Sequence, residues 1–276
     1  MKKTNQNLYS FWSAAIIICV VLAVFAVLFA SAIGNGGSRK AEQTVEESAP
    51  LETALAPTPT PNAITASASA AALAQTEDGG DAYVNQIFFL GDDALTALND
   101  GTLLTGENRS RQVWMPESGV LALAELDNAT YKSPVTGNNV PASEIVQVNT
   151  PAYLILFPSP DNVNLLTEDQ VKTAYSTVIA GILEQSPNTK IILSSLTPVA
   201  QSYAYEDLTN EIIARVNGWI AAAAEAAGVK YLDAAAGLVG ADGFLPESYH
   251  DGDGVHLNAD GMKAWLDYVK THAYPA

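Results

Sequence analysis

Two carboxylates stand side by side in FFLGDDALTAL, residues 88–98, where an apolar run ends on a glycine and a helical pattern begins. That pattern places Asp92 and Asp93 in a tight turn at the end of a strand. Two other polar groups stand out, one after an apolar run and one just ahead of a helical pattern. FPSPDNV, residues 157–163, holds Ser159, Asp161 and Asn162, and HDGDGVHLN, residues 250–258, holds His250, Asp253 and His256 just before a helix. Carboxylates and imidazoles are suitable ligands for Mn²⁺ or Zn²⁺, and Asp93, Asp161 and His256 are the set that could converge on a cation. Such a cation would relieve the repulsion among the aspartates. The alternative is direct pairing, with Asp93 and Asp253 on opposite sides of His256. Two flanking carboxylates favour the imidazolium, and a ring already protonated cannot act as a base. Closely spaced ligand motifs such as His-Glu-x-x-His are absent from the sequence. No cofactor is expected.

The elements that must position these groups alternate. QIFFLG (86–91), AYLILF (152–157), KIILSSL (190–196) and VKYLD (229–233) are apolar on both faces, as parallel strands covered by helices would be. Between them lie punctuated helices. Thr167 and Gln170 form a capping-box signature, Pro187 follows the helix it opens, and Gly228 ends the next. A last helix spans ADGMKAWLDYVKTHA, and residues 102–149 show no regular pattern. The alternation predicts a single α/β domain over 82–276, a three-layer doubly wound parallel sheet. In such sheets ligands bind beyond the carboxyl ends of the strands, where the three polar groups lie.

The first eighty residues are of another kind. Residues 14–33 are an uncharged apolar run of about 20 residues, long enough at 1.5 Å per residue to span a bilayer core. The competing reading is a secretion signal, with Lys2 and Lys3 ahead of the apolar run and Ala30, Ser31 and Ala32 at a cleavage site, after which the protein is secreted. The run exceeds the usual length of a signal's apolar core, which favours an uncleaved anchor. Residues 1–13 are then cytoplasmic, and the rest is a single-pass extracytoplasmic portion at the cell membrane. Residues 34–81 are rich in Ala, Ser, Thr and Pro and read as a disordered tether. Cys19, the one cysteine, lies inside the apolar run, so no disulfide or thiolate site is available to the domain. A net charge of −17 argues against nucleic acid as a partner.

FFLGDDALTAL and DGVHLN together resemble the first and last blocks of the SGNH hydrolases, also called GDSL esterases and lipases. SPNTKIILSSLTPVA, VNGWIAAAAEAAGVKYLD and LPESYHDGDGVHLNADGMKAWLDYVKTHAY are similar to membrane-anchored bacterial members. The resemblance implies the family's flavodoxin-like fold and ester hydrolysis. A serine after the first strand would attack, His256 would be general base, and Asp253 would orient it. It also implies oxyanion donors at Gly119 and at Asp161 or Asn162. The nucleophile position holds Asp93, with Asp92 as the family's ordinary aspartate. A carboxylate attacking an ester gives an anhydride, and an ionised Asp161 repels an oxyanion. Three readings follow: a catalytically silent domain binding cell-surface or wall carbohydrate, a rewired esterase or deacetylase of acylated carbohydrate using Ser159 or Asp93, and the metal site above. His250 reads as a loop residue near the site, and Trp114, Trp219 and Trp265 read as packing residues, Trp114 being the one that could stack on a sugar ring.

Overall fold

The computed structural model describes residues 69–99 and 103–275. Five parallel strands, β1 (Ile87–Gly91), β2 (Val113–Trp114), β5 (Tyr153–Phe157), β6 (Lys190–Ser194) and β7 (Lys230–Leu232), form a sheet in the order β2-β1-β5-β6-β7. A separate hairpin pairs β3 (Thr130–Lys132) with β4 (Asn139–Pro141). Alternate strand residues serve opposite faces. Leu90, Leu154, Leu156, Ile191 and Leu193 pack against α3 (Ala142–Asn149), α4 (Glu168–Gln185) and α5 (Asn210–Ala227). Phe89, Ile155, Phe157, Ile192 and Leu232 pack against α6 (Ala234–Leu238) and Met262, Trp265 and Leu266 of α7 (Ala259–Lys270). The three layers follow from strands that are apolar on both faces.

Helix boundaries obey their caps. The Thr167 hydroxyl accepts the Gln170 N–H at 3.4 Å while the Gln170 side chain accepts the Thr167 N–H at 2.9 Å, completing the capping box. Gly228 closes α5 in the left-handed region. The stretch without sequence regularity holds the two-residue β2, the hairpin and α3.

The start of the domain differs from the expectation at residue 82. Ala72 pairs in parallel with Tyr231, the Tyr231 N–H donates to the Ala71 carbonyl at 2.9 Å, and the Leu73 N–H to the Tyr231 carbonyl at 2.8 Å. Further on, the N–H groups of Thr76 and Gly79 donate to the carbonyls of Thr271 and Lys270. Ala71 is buried in the core. Small residues that read by composition as tether are what lets the backbone lie close along β7. A one-turn helix, α1 (Gly80–Val84), then leads into β1. The expected membrane helix at 14–33, the residues before it and 34–68 of the tether lie outside the described residues. Among those described, no helix is long and apolar enough to cross a membrane.

The strand order is that of flavodoxin-like sheets, and it reverses between β1 and β5. Gly91 and Phe157 are partners at the carboxyl ends of those strands. A Cβ on Gly91 would lie 2.5 Å from the Phe157 carbonyl oxygen, so the close approach requires glycine. Asp92 and Asp93 follow Gly91 directly, and Ser159 to Asn162 come just after Phe157.

Candidate functional site

The two adjacent aspartates do different work. Asp92 is 2% exposed, and its carboxylate accepts the Ala94 N–H at 3.0 Å, capping the short helical turn Asp93–Leu95. Burial pushes its carboxyl up to about 7; the Ala94 N–H and the charge of His256 pull the other way, while Asp93 and Asp161 add to the rise. Asp93 is exposed and lines an open crevice of about 410 Å³ with Thr96, Asp251, Asp253, His256 and Asn258. On another side Gly119 stands against it, its ideal Cβ position 3.7 Å from Asp93 Cβ. Gly119 is brought there because the chain after it runs beside the end of β5: Ala122 bridges Ser159, and the Ser159 N–H donates to the Leu121 carbonyl at 2.9 Å.

Across the crevice Asp253 and His256 are joined Oδ2 to Nδ1 at 2.5 Å, with side chains 45% and 42% exposed. Asp253 Oδ1 also accepts the N–H groups of Val255 and His256 at 2.9 and 3.0 Å. Burial opposes the charge on Asp253, but these donors and the imidazole outweigh it and hold the carboxyl near 2. Partial burial likewise opposes the charged ring of His256. The hydrogen bond and charge of Asp253, then the charges of Asp93 and Asp92, hold its pKa above the usual histidine value. Asp253→Asn keeps an acceptor but removes the charge, so it should lower the His256 pKa in an NMR pH titration. An unchanged titration would mean that the pair does not form in solution.

Three expectations need correction. Among the described residues the ion pair of His256 is with Asp253; Asp93 reaches the ring through its charge and not by the expected contact. The two lie on loops at opposite sides of the crevice. Asp93, Asp161 and His256 do not converge, and among the described residues no group of three His, Cys, Asp or Glu is placed to hold a metal ion. Ser159 is 2% exposed, and its hydroxyl accepts the Asp161 N–H at 3.2 Å, a turn-forming role that takes it out of the crevice as a nucleophile.

Asp161 and Asn162 are both exposed, Asn162 with a left-handed backbone at φ 56°. The charge of Asp161 is felt at Asp92 and at Tyr203. Tyr203 was not singled out by the sequence, yet it lies within the influence of both Asp161 and Asp253, and Gly254 packs against its backbone. It meets Tyr205 edge to face at 5.5 Å, and Tyr205 is 69% exposed. The rule that points to residues after strand ends could have found this pair, which follows β6 in SYAYED. Trp114 is half-buried and packs against the core, as the packing reading expects, and its Nε1–H donates to the Arg111 carbonyl at 2.7 Å. His272 stacks on Tyr268 at the far end of α7, at 3.8 Å.

Residues 137–264 match the model of the GDSL-like lipase/acylhydrolase family. Over that stretch, a little under half of the chain, the sequence is similar to this family. The matched stretch contains Asp161, Asn162, Asp253 and His256, while Asp92, Asp93 and Gly119 precede it. No curated protein matches the chain. Solved structures similar to it include a Streptococcus pneumonia protein provisionally described as a platelet activating factor, at 19% identity over 68% of this chain and 84% of that one, TM-score 0.49. A DUF4886 family protein from Bacteroides uniformis is similar at 11% identity over 68% and 83%, TM-score 0.49. A GDSL-like lipase from Bacteroides thetaiotaomicron follows at 16% over 67% and 86%, TM-score 0.44.

Proposed function

We propose that this GDSL-like domain is a binding domain for cell-surface or wall carbohydrate whose serine-ester chemistry has been lost. In this reading it is held outside the membrane by residues 14–33. The observation that carries it is Asp93, a carboxylate facing the crevice at the position where the family's first block places its serine. The route through Ser159 lacks support, since Ser159 is buried in a turn, and the negative charge of Asp161 is unsuited to holding an oxyanion. Tyr205, 69% exposed, meets the half-buried Tyr203 edge to face, and Tyr203 lies within the influence of Asp161 and Asp253; an apolar ring face near carboxylates is a combination suited to a sugar.

One observation favours a second reading. Asp253 and His256 keep the contact of a base and its orienting acid and present it to solvent. With Asp93 as base on water and His256 as acid, the crevice would be a rewired esterase or deacetylase.

Hydrolysis of an activated acetate ester by the full chain in detergent separates the two. The binding reading expects no turnover by the wild type and a gain in Asp93→Ser, together with retention on immobilised wall glycan. Wild-type turnover that disappears in His256→Ala would overturn it in favour of the rewired hydrolase.

A further inference from the structure

We propose that His250 is a positioning residue that fixes Asp253 and, through it, the imidazole of His256. The proposal rests on the reading that these two residues face the ligand, and it adds a part that neither the family match nor the crevice assigns.

His250 is 5% exposed and sits inside the loop it begins. Its Nδ1 accepts two peptide N–H groups, from Gly252 at 2.9 Å and from Gly254 at 3.0 Å. Those two residues flank Asp253, so one ring nitrogen holds the backbone on both sides of the carboxylate. Two donors aimed at Nδ1 require it to be unprotonated, which puts the proton on Nε2. Nε2–H in turn donates to Glu247 Oε2 at 3.0 Å. Both glycines have left-handed backbones, φ 95° and 85°, which is how two nearby N–H groups turn inward to a single acceptor.

The rest of the loop is closed around this ring. His250 bridges Leu257, the Asp251 N–H donates to the His256 carbonyl at 3.1 Å, and the Asn258 amide donates to the carbonyls of Ser248 and His250, both at 3.0 Å. The Gly254 carbonyl accepts the Ala200 N–H at 2.8 Å, fixing the loop to the segment that leads to Tyr203. Removing the imidazole leaves the N–H groups of Gly252 and Gly254 without their acceptor, and the buried one, at Gly254, can be satisfied only by the loop opening toward water. Opening swings the peptide of Asp253 and breaks its contact with His256.

The test uses the two amide side chains as positional probes. Oδ1 of asparagine occupies the place of Nδ1, whereas the glutamine amide reaches only the place of Nε2. The readout is the His256 pKa, measured on the full chain in detergent by NMR titration, without any substrate. His250→Asn should keep the raised wild-type value. His250→Gln should let it fall back toward ~6.5, that of an unperturbed histidine. Equal titrations in the two variants would overturn the proposal, because a merely structural loss would not distinguish them. If the glutamine variant does not fold, the wild type still decides. A long-range proton–nitrogen spectrum should show His250 as the Nε2–H tautomer with slowly exchanging Gly252 and Gly254 amides, and an Nδ1–H tautomer would refute the assignment. Because no ligand is involved, failure here leaves the carbohydrate reading standing.

Discussion

Asp92→Asn is expected to stabilise the protein by about 2–4 kcal/mol at pH 8 and to change little at pH 4. Folded Asp92 holds its proton up to about 7, whereas in the unfolded chain the carboxyl releases it near its ordinary 3.8. Between those values the folded state binds the extra proton, so its stability is full below the lower one and falls as pH rises through the upper. An interval of about 3 pH units, at roughly 1.4 kcal/mol for each, corresponds to about 4 kcal/mol. Asparagine has the shape of the neutral acid and keeps an acceptor for the Ala94 N–H. Its amide needs a partner of its own, which sets the lower end of the range. His256 adds a fall of the same sign through its raised pKa, but that contribution is largely shared by wild type and variant. Urea unfolding of both at pH 4 and 8 is the measurement. Stability differences equal at the two pH values would mean that Asp92 ionises as readily inside as out.

Trp265→Ala should cost about 3–5 kcal/mol, read from the shift in the denaturant midpoint. The side chain is completely buried under α7 and packs edge-on to Phe157 at 5.1 Å and Phe89 at 5.8 Å. Its Nε1–H donates to Ser194 Oγ at 3.4 Å, so alanine leaves a cavity and removes a donor to that hydroxyl, which still donates to the Ser195 carbonyl. The consequence should reach the site as well, because α7 begins three residues after His256 with Asn258 as its cap. A loss below about 1 kcal/mol would show that the helix can settle into the space.

The sequence made the main sheet legible for a physical reason. Strands covered on both faces are apolar throughout, and 86–91, 152–157, 190–196 and 229–233 carry that mark; the helices were bounded by Thr167, Gln170 and Gly228. Val113–Trp114 is too short for any period to register, and Ala71 and Leu73 join the sheet through backbone groups that composition does not reveal. The pairing of Asp253 with His256 was implied by the resemblance of DGVHLN to the last block of the SGNH hydrolases. Gly119 beside Asp93 depends on the register of Ala122 with Ser159, and the role of His250 depends on two peptide N–H groups, neither of which leaves a trace in side-chain pattern.

The strand-like segment at Ala71–Leu73 also bears on association between molecules. It occupies the outer hydrogen-bonding edge of β7, whose groups would otherwise be open to any extended chain that met them. A shortened protein begun at residue 82 would leave that edge bare and uncover Tyr231, inviting copies to pair edge to edge. One begun before residue 69 would carry its own protection.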